Sequence, residues 1–214
     1  MHNKPANTPI IAPFFCALLT FLSIFLAGII ATTSHAQEQT ATFAGGCFWC
    51  SESDFEKLDG VIAVTSGYIG GQLKNPTYKQ VSSGKTAHTE GVQIIFDSQI
   101  VSYSSLLEYF WKSIDPIDAG GQFCDRGQQY RSEIFYHDET QREAAEKSLQ
   151  ALDKNASLGA PIATKITAAS TFYPAEDYHQ DYYLKNPIRY NYYRWGCGRD
   201  KRLEELWGTV AEDN

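Results

Sequence analysis

The sequence predicts an α+β domain, a sheet layered with helices, and three observations predict it. Short runs rich in β-branched and aromatic residues, bounded by glycines and an Asp-Ser turn, alternate with amphipathic segments of helical period. No internal repeat, low-complexity tract or Pro/Gly/Ser-rich linker divides the chain after residue 36. Taking those 36 residues from 214 leaves 178, enough for one hydrophobic core and few for two.

The first 36 residues stand apart. A polar opening with Lys4 leads into an apolar run from Phe14 to Ala31, and the small residues Ser34 and Ala36 suit cleavage ahead of Gln37. This is the pattern of a secretory signal peptide. The run is 18 residues long, enough to persist as a membrane anchor if it is not cleaved. Both readings export residues 37–214, which are expected in the periplasm or secreted, with membrane attachment only where the segment is uncleaved.

Along the domain, Thr40 to Ala44 reads as a strand, and the acid-rich stretch Ser51 to Leu58 as an amphipathic helix. Val61 to Tyr68 and Thr89 to Phe96 are strands bounded by Gly60, Gly67, Gly91 and the Asp97-Ser98 turn. Ser102 can cap a helix to about Ile114, with Leu106, Leu107, Phe110 and Trp111 on one face. Asp138 can cap another to about Leu152, with Ala144, Ala145 and Leu149 inward. Arg131 to His137 and Thr164 to Ala168 complete the strands. Between Ile114 and Gln129 no period is visible, and a long irregular segment inside a compact domain is usually functional. The tail, residues 186–214, is expected to be irregular apart from a short helix near Arg202 to Trp207, and free to move its Cys197.

Charge and cysteine usage narrow the function. Losing Lys4 moves the formal charge from -7 to -8, which argues against nucleic acid as a partner despite the basic-dotted aromatic stretch from Tyr182 to Trp195. Cys47, Cys50, Cys124 and Cys197 remain after residue 36, too few and too widely set among aliphatic residues for a disulfide-stapled module. Redox chemistry is the better expectation. The Cys47-Cys50 spacing is half of a zinc motif, but no second Cys-x-x-Cys or spaced His pair follows it, so no metal is expected.

Cys47 carries most of the information. It sits in Gly45-Gly46-Cys47-Phe48-Trp49-Cys50, after a strand and at the start of a helix, where unpaired N–H groups and the helix dipole favour thiolate. Two glycines let the chain turn and leave the sulfur accessible. That makes Cys47 a nucleophile candidate. Four islands accompany it: Gly67-Tyr68-Ile69-Gly70-Gly71 with Asn75-Pro76-Thr77-Tyr78; Thr86-Ala87-His88-Thr89-Glu90; Asp125 through Ser132; and Tyr173 through Gln180.

In this order and spacing the islands resemble the peptide methionine sulfoxide reductase A family, over nearly all of Thr40 to Pro187. The resemblance implies a two-layer α/β sandwich of the α/β plait (ferredoxin-like) type around a mixed sheet. It also implies reduction of methionine S-sulfoxide, free or in oxidised proteins, to methionine, as repair of exported proteins. By the same resemblance Cys47 is the nucleophile, Glu90 the acid, and Tyr78 and Tyr130 the hydroxyls that face the sulfoxide oxygen. Asp125 shares that pocket, while Phe48 and Trp49 wall the substrate methyl with His88 beside them.

Chemistry agrees with those roles. Removing oxygen from sulfur needs a nucleophile for the sulfur and a proton for the oxygen, and phenols that stay neutral near pH 7 can hold the charge that grows on it. A carboxyl that donates must be raised by burial from its free value of about 4.3. After one turnover Cys47 is a sulfenic acid and needs a second thiol, so the resemblance implies an intramolecular disulfide recycled by an external thioredoxin-type dithiol reductant, with no bound cofactor.

Cys197 is the expected resolving cysteine, because glycines flank it in a tail that can move; Cys50, one helical turn from Cys47, is the alternative, and Cys124 stands where some members carry Asn. A monomer is expected. A thioredoxin-like disulfide oxidoreductase is the rival enzyme reading, resting on Cys47-Phe48-Trp49-Cys50, but it leaves Tyr78, Glu90 and Tyr130 without a task. A disulfide-held binding module would instead lock Cys47 in a bridge.

Overall fold

The computed structural model describes residues 1–2, 37–154 and 158–208. The apolar run and cleavage site expected within residues 3–36 lie outside them. The chain separates into two units, Met1–Ser34 and His35–Asn214, and the fold is that of the second. Among the described residues, no helix is long and apolar enough to cross a membrane.

The layers form from β1 (Glu38–Gly45), α1 (Phe48–Phe55), β2 (Val61–Ile69), α2 (Tyr78–Ser82), β3 (Thr89–Asp97) and α3 (Tyr103–Lys112). A short hairpin of β4 (Gly121–Gln122) and β5 (Asp125–Arg126) and a 3-10 turn at Gln128–Tyr130 precede β6 (Ser132–Tyr136). Then come α4 (Glu139–Lys154), β7 (Lys165–Ala168), β8 (Tyr173–Pro174), α5 (Tyr182–Lys185), α6 (Pro187–Cys197) and α7 (Arg199–Trp207).

The sheet runs β7-β6-β1-β3-β2-β8. Its centre, β6-β1-β3-β2, is antiparallel and is built by the chain order β1-α1-β2-β3-α3-β6, the split β-α-β pattern of a plait. The parallel pairing of β7 to β6 makes the whole sheet mixed. Phe43 of β1 joins the layers: its ring stacks on Phe55 of α1 at 5.4 Å and on Tyr103 and Phe110 of α3 at 6.0 and 4.9 Å. One side chain therefore meets both helices on one face of the sheet. Val92, Ile94 and Phe96 of β3 bury completely on that face, and the two-residue period of the strand carries Glu90 to it as well.

Helix starts follow the expected chemistry. The Ser102 hydroxyl accepts from the Ser105 N–H at 3.0 Å, and the Asp138 carboxylate accepts from the Gln141 N–H at 2.8 Å. α1 begins earlier than its apolar period indicates, because the Cys47 carbonyl accepts from the Cys50 and Ser51 N–H groups at 3.2 and 3.3 Å. Gly46 just before it has φ +85°, and a Cβ there would lie 2.6 Å from Gln122, so only glycine fits this turn. Cys47 is thus the residue on which the helix starts.

The tail is not irregular. Pro187 opens α6, and Gly198 at φ 70° ends it and starts α7. The Arg194 guanidinium donates to Asp54 of α1 at 2.6 Å, and Arg202 donates to Asp115 at 2.7 Å. Arg199, 2% exposed, donates to the carbonyls of Gly45 and Ser113 at 3.2 and 2.7 Å and lies over the Phe123 ring. These cations bind the tail to the domain, so helices form without the apolar period that would have announced them.

Candidate active site

A small pocket of about 60 Å³ opens at the start of α1. Cys47, Phe48 and Trp49 line it from α1, Tyr78 from α2, Glu90 from β3, and Asp125 and Tyr130 from the loop ahead of β6. Tyr193 of α6 closes it. The sheet explains the central pair. β1 pairs with β3 as far as Phe43 opposite Val92, which brings Glu90 level with Gly45, two residues before Cys47. A roomier groove of about 860 Å³ beside α3 and α4 contains neither cysteine nor histidine.

Cys47 is 6% exposed and unbridged, as a nucleophile must be and as a disulfide-held binding module would not allow. Burial pushes its thiol well above the ordinary range, with the neighbouring Cys50, Glu90 and Asp125 adding to the effect. The expected preference for thiolate at the helix start is therefore not met in this state. Desolvating a charged sulfur costs more than one short helix returns. The neighbouring Cys47 thiol lowers the Cys50 thiol; burial opposes, and Arg199 and Arg194 help.

Glu90 is 2% exposed, and burial holds its carboxyl well above the usual carboxylate range. One oxygen, Oε2, accepts from the Phe48 N–H at 3.2 Å. The carboxyl is thus held in its neutral form in the pocket it shares with Cys47. Tyr78 and Tyr130 line the pocket together, and burial together with Glu90 pushes the Tyr78 hydroxyl up to about 12. Burial and Glu90 raise Tyr130 as well. Both phenols remain neutral donors.

Asp125 is raised by burial, against the lowering influence of Tyr193 and Arg199. The Tyr193 hydroxyl donates to Asp125 Oδ2. Sequence reasoning missed Tyr193, since a tyrosine within a run of tail tyrosines carries no local mark of a site.

The aromatic wall has a support that only the fold supplies. Trp49 stacks on Tyr182 of α5 with centroids 3.7 Å apart, and its indole N–H donates to His179 Nδ1 at 3.0 Å. His179 in turn lies against Phe48 and Tyr78, with centroids 5.0 and 4.5 Å away. Glu176 accepts from the Tyr78 N–H at 2.9 Å and from the Tyr68 hydroxyl at 2.8 Å. The Tyr173–Gln180 island thus holds the site's walls in place. His88 does something else: its ring accepts from the Gly71 N–H at 3.1 Å and is bonded through Nε2 to the Leu73 carbonyl at 2.8 Å. It fixes the loop that leads to Tyr78 and does not line the pocket.

Cys197 departs most from expectation. Its sulfur is bonded to Cys124, so in this state it is not a free tail thiol able to reach Cys47. The bond holds α6 against the exposed loop before Asp125, whereas Cys50, 2% exposed, stays beside Cys47.

Among the described residues, two groups of side chains have the composition to hold a cation. In one, Cys124, Asp125 and Cys197, both sulfurs are used in the disulfide. In the other, Glu52, Glu56 and Asp181, Tyr183 donates to Glu56 at 2.8 Å and Lys185 pairs with Asp181 at 3.3 Å. The second group reads as a buried carboxylate contact between α1 and α5.

A family model described as peptide methionine sulfoxide reductase matches residues 39–211. The chain is 51% identical over 177 residues to peptide methionine sulfoxide reductase MsrA of Bacillus licheniformis, covering 83% of this chain and 98% of that one. It is also 51% identical over 203 residues to peptide methionine sulfoxide reductase MsrA/MsrB of Vibrio cholerae; the match covers 92% of this chain but spans about half, 53%, of that protein. Among solved structures, methionine sulfoxide reductase A of Corynebacterium diphtheriae superposes with a TM-score of 0.68 at 30% identity, over 72% of this chain and 78% of that one. Mxr1 of Saccharomyces cerevisiae in reduced form gives 0.66 at 31% identity, over 70% and 86%.

Proposed function

Since this chain belongs to the peptide methionine sulfoxide reductase family of oxidoreductases, we propose that it reduces methionine S-sulfoxide, free or in oxidised exported proteins, to methionine. The observation that carries this reading is the meeting of Cys47 with the neutral acid Glu90 and the paired phenols Tyr78 and Tyr130 in one pocket. The Cys47 sulfur attacks the sulfoxide sulfur while Glu90 gives a proton to the oxygen. The substrate S–O bond breaks as the oxygen passes to the Cys47 sulfur, so methionine leaves and Cys47 becomes a sulfenic acid. Tyr78 and Tyr130 hold the oxygen as its charge grows, and Phe48 and Trp49 receive the methyl.

The sulfenic acid is next to Cys50. Attack by the Cys50 sulfur forms the Cys47–Cys50 bond and releases water, and the position of Cys47 ahead of the first helical turn leaves the backbone free to bring the sulfurs together. Exchange with reduced Cys124 and Cys197 would then move the disulfide outward and restore both buried thiols. That end state matches the arrangement in the structure, with Cys124 and Cys197 oxidised and Cys47 and Cys50 reduced. Cys124 is exposed, and beside it α6 presents Ile188, Tyr192 and Trp195 to solvent, 85%, 74% and 78% exposed. There an external thioredoxin-type dithiol would reduce the bond, becoming a disulfide itself. No bound cofactor is needed, and the chain works as a monomer in the periplasm or outside the cell, held at a membrane only if residues 1–36 are retained.

Purified protein with dithiothreitol and racemic methionine sulfoxide tests the reading. The S-epimer should disappear and the R-epimer remain, because one oxygen site and one methyl site admit one handedness. Cys47→Ser should abolish the loss while the fold stays intact. Equal rates on both epimers, or activity surviving in Cys47→Ser, would overturn it.

A further inference from the structure

A buried neutral thiol is a poor nucleophile, and this site contains a way to ionise it. Resting on the reading of Cys47 as the nucleophile, we propose that Tyr193 carries the Cys47 proton to Asp125 and then holds the resulting thiolate. The geometry is a chain of three groups. The Tyr193 hydroxyl donates to Asp125 Oδ2, and Tyr193 packs against the Cys47–Cys50 pair and lines the same small pocket as Cys47. A phenol has one hydrogen, so while it is given to Asp125 the Tyr193 oxygen can meet Cys47 only as an acceptor of the thiol hydrogen.

The step balances within the chain. The Cys47 S–H bond breaks as its proton moves to the Tyr193 oxygen, while the phenolic proton of Tyr193 moves to Asp125 Oδ2. Cys47 becomes thiolate, Tyr193 is neutral again with its hydrogen now directed at the sulfur, and Asp125 becomes a carboxylic acid. No electrons are exchanged. The other titratable groups facing this chain leave the route to Asp125: Glu90 already holds its proton, Tyr78 and Tyr130 are phenols raised by burial and keep theirs, Cys50 is itself a buried thiol, and Arg199 favours the charged form of Asp125.

The carrier and the acceptor of the relay are also tied together. Cys124 immediately precedes Asp125, and Cys197 lies one helical turn after Tyr193 on α6, so their disulfide runs alongside the Tyr193–Asp125 hydrogen bond. A tail tyrosine is thereby fixed where a core tyrosine would otherwise be required.

Alkylation of Cys47 by iodoacetamide, followed across pH by peptide mass spectrometry with the Cys124–Cys197 disulfide intact, tests the proposal without any sulfoxide. Sharing one proton between Cys47 and Asp125 should give the unsubstituted protein a rate that levels to a plateau as pH falls toward neutrality. Tyr193→Phe should lower that plateau about tenfold or more through the lost hydrogen bond to a charged sulfur. Asp125→Asn should remove the plateau, leaving a rate that falls about tenfold per pH unit. All rates should converge at high pH, where hydroxide ionises the thiol. A variant slowed equally at every pH, or an unchanged profile in both, would overturn the relay, and Asp125→Asn decides the matter if Tyr193→Phe does not fold. Because alkylation needs no substrate, failure of the relay is distinguishable from failure of the sulfoxide reading, which activity alone would reveal.

Discussion

The free thiols of Cys47 and Cys50 lie buried in one cluster at the first turn of α1, while Cys197, the other thiol suited to resolve Cys47, is bonded to Cys124. The reactive sulfur and its nearest partner are therefore both buried, and the oxidised pair lies where solvent reaches it. A thiol already in contact with the sulfenic sulfur needs no segment to travel. In the proposed cycle Cys124 and Cys197 then carry the disulfide outward.

Removing Cys50 should stop the cycle at its first disulfide. Cys50→Ser should release about one methionine per protein without reductant and then accumulate Cys47 sulfenic acid, detectable by dimedone labelling. Cys197→Ser should form the Cys47–Cys50 bond but recycle poorly with a thioredoxin-type protein, while small dithiols that reach the buried pair still support turnover. A Cys197→Ser protein that stalls at sulfenic acid, with Cys50→Ser cycling freely, would return the resolving role to the tail.

Glu90→Gln retains shape and cannot give a proton, so single-turnover reduction should slow by about two to four powers of ten. The pH dependence has a definite sign. Burial raises the Glu90 carboxyl, and its acid form is the one that donates, so the unsubstituted protein should lose rate as pH rises through that raised value. The variant should lack this alkaline fall. A stopped-flow rate that is unchanged in Glu90→Gln would assign the proton to a phenol or water.

Tyr78 and Tyr130 line one small pocket, which predicts that they also share the sulfoxide oxygen. Each single Phe substitution should cost less than half, in free energy, of the double substitution, because one phenol can partly cover for the other. Strictly additive losses in kcat/KM would show that they act on different atoms.

Glu52 makes a stability prediction away from the chemistry. It is 0% exposed with neither carboxyl oxygen hydrogen-bonded; the Asp181 N–H and Ser66 hydroxyl come near without reaching bonding geometry. Burial, opposed by those two groups and reinforced by Glu56 and Asp181, raises it from the ordinary 4.5 to about 7. The folded state thus binds this proton more tightly than the unfolded chain, a contribution to stability fully present below pH 4.5 and lost as pH rises through about 7. Relative to the unsubstituted protein, Glu52→Gln should gain up to about 3 kcal/mol on going from pH 4 to pH 8 in urea unfolding. The same difference at both pH values would refute it.

The sequence by itself determined the long strands and the helices capped by Ser102 and Asp138, because those rest on local period and turn residues. Cys47 stood out by its place between strand and helix, while Glu90, Tyr78, Tyr130 and Asp125 stood out through the family resemblance of their motifs, and the fold brings all five to one pocket. His88 sat in the same kind of motif yet holds a loop, since a motif places a backbone and not the direction of a ring. Only tertiary structure decided the rest. The tail is helical because Arg194, Arg199 and Arg202 find carboxylates and carbonyls far away in sequence; Tyr193 enters the pocket because that docking and the Cys124–Cys197 bond put it there. Whether Cys47 rests as thiol or thiolate was likewise undetermined by its position at a helix start. Burial sets the cost of charge on its sulfur, and burial is a property of everything packed around it.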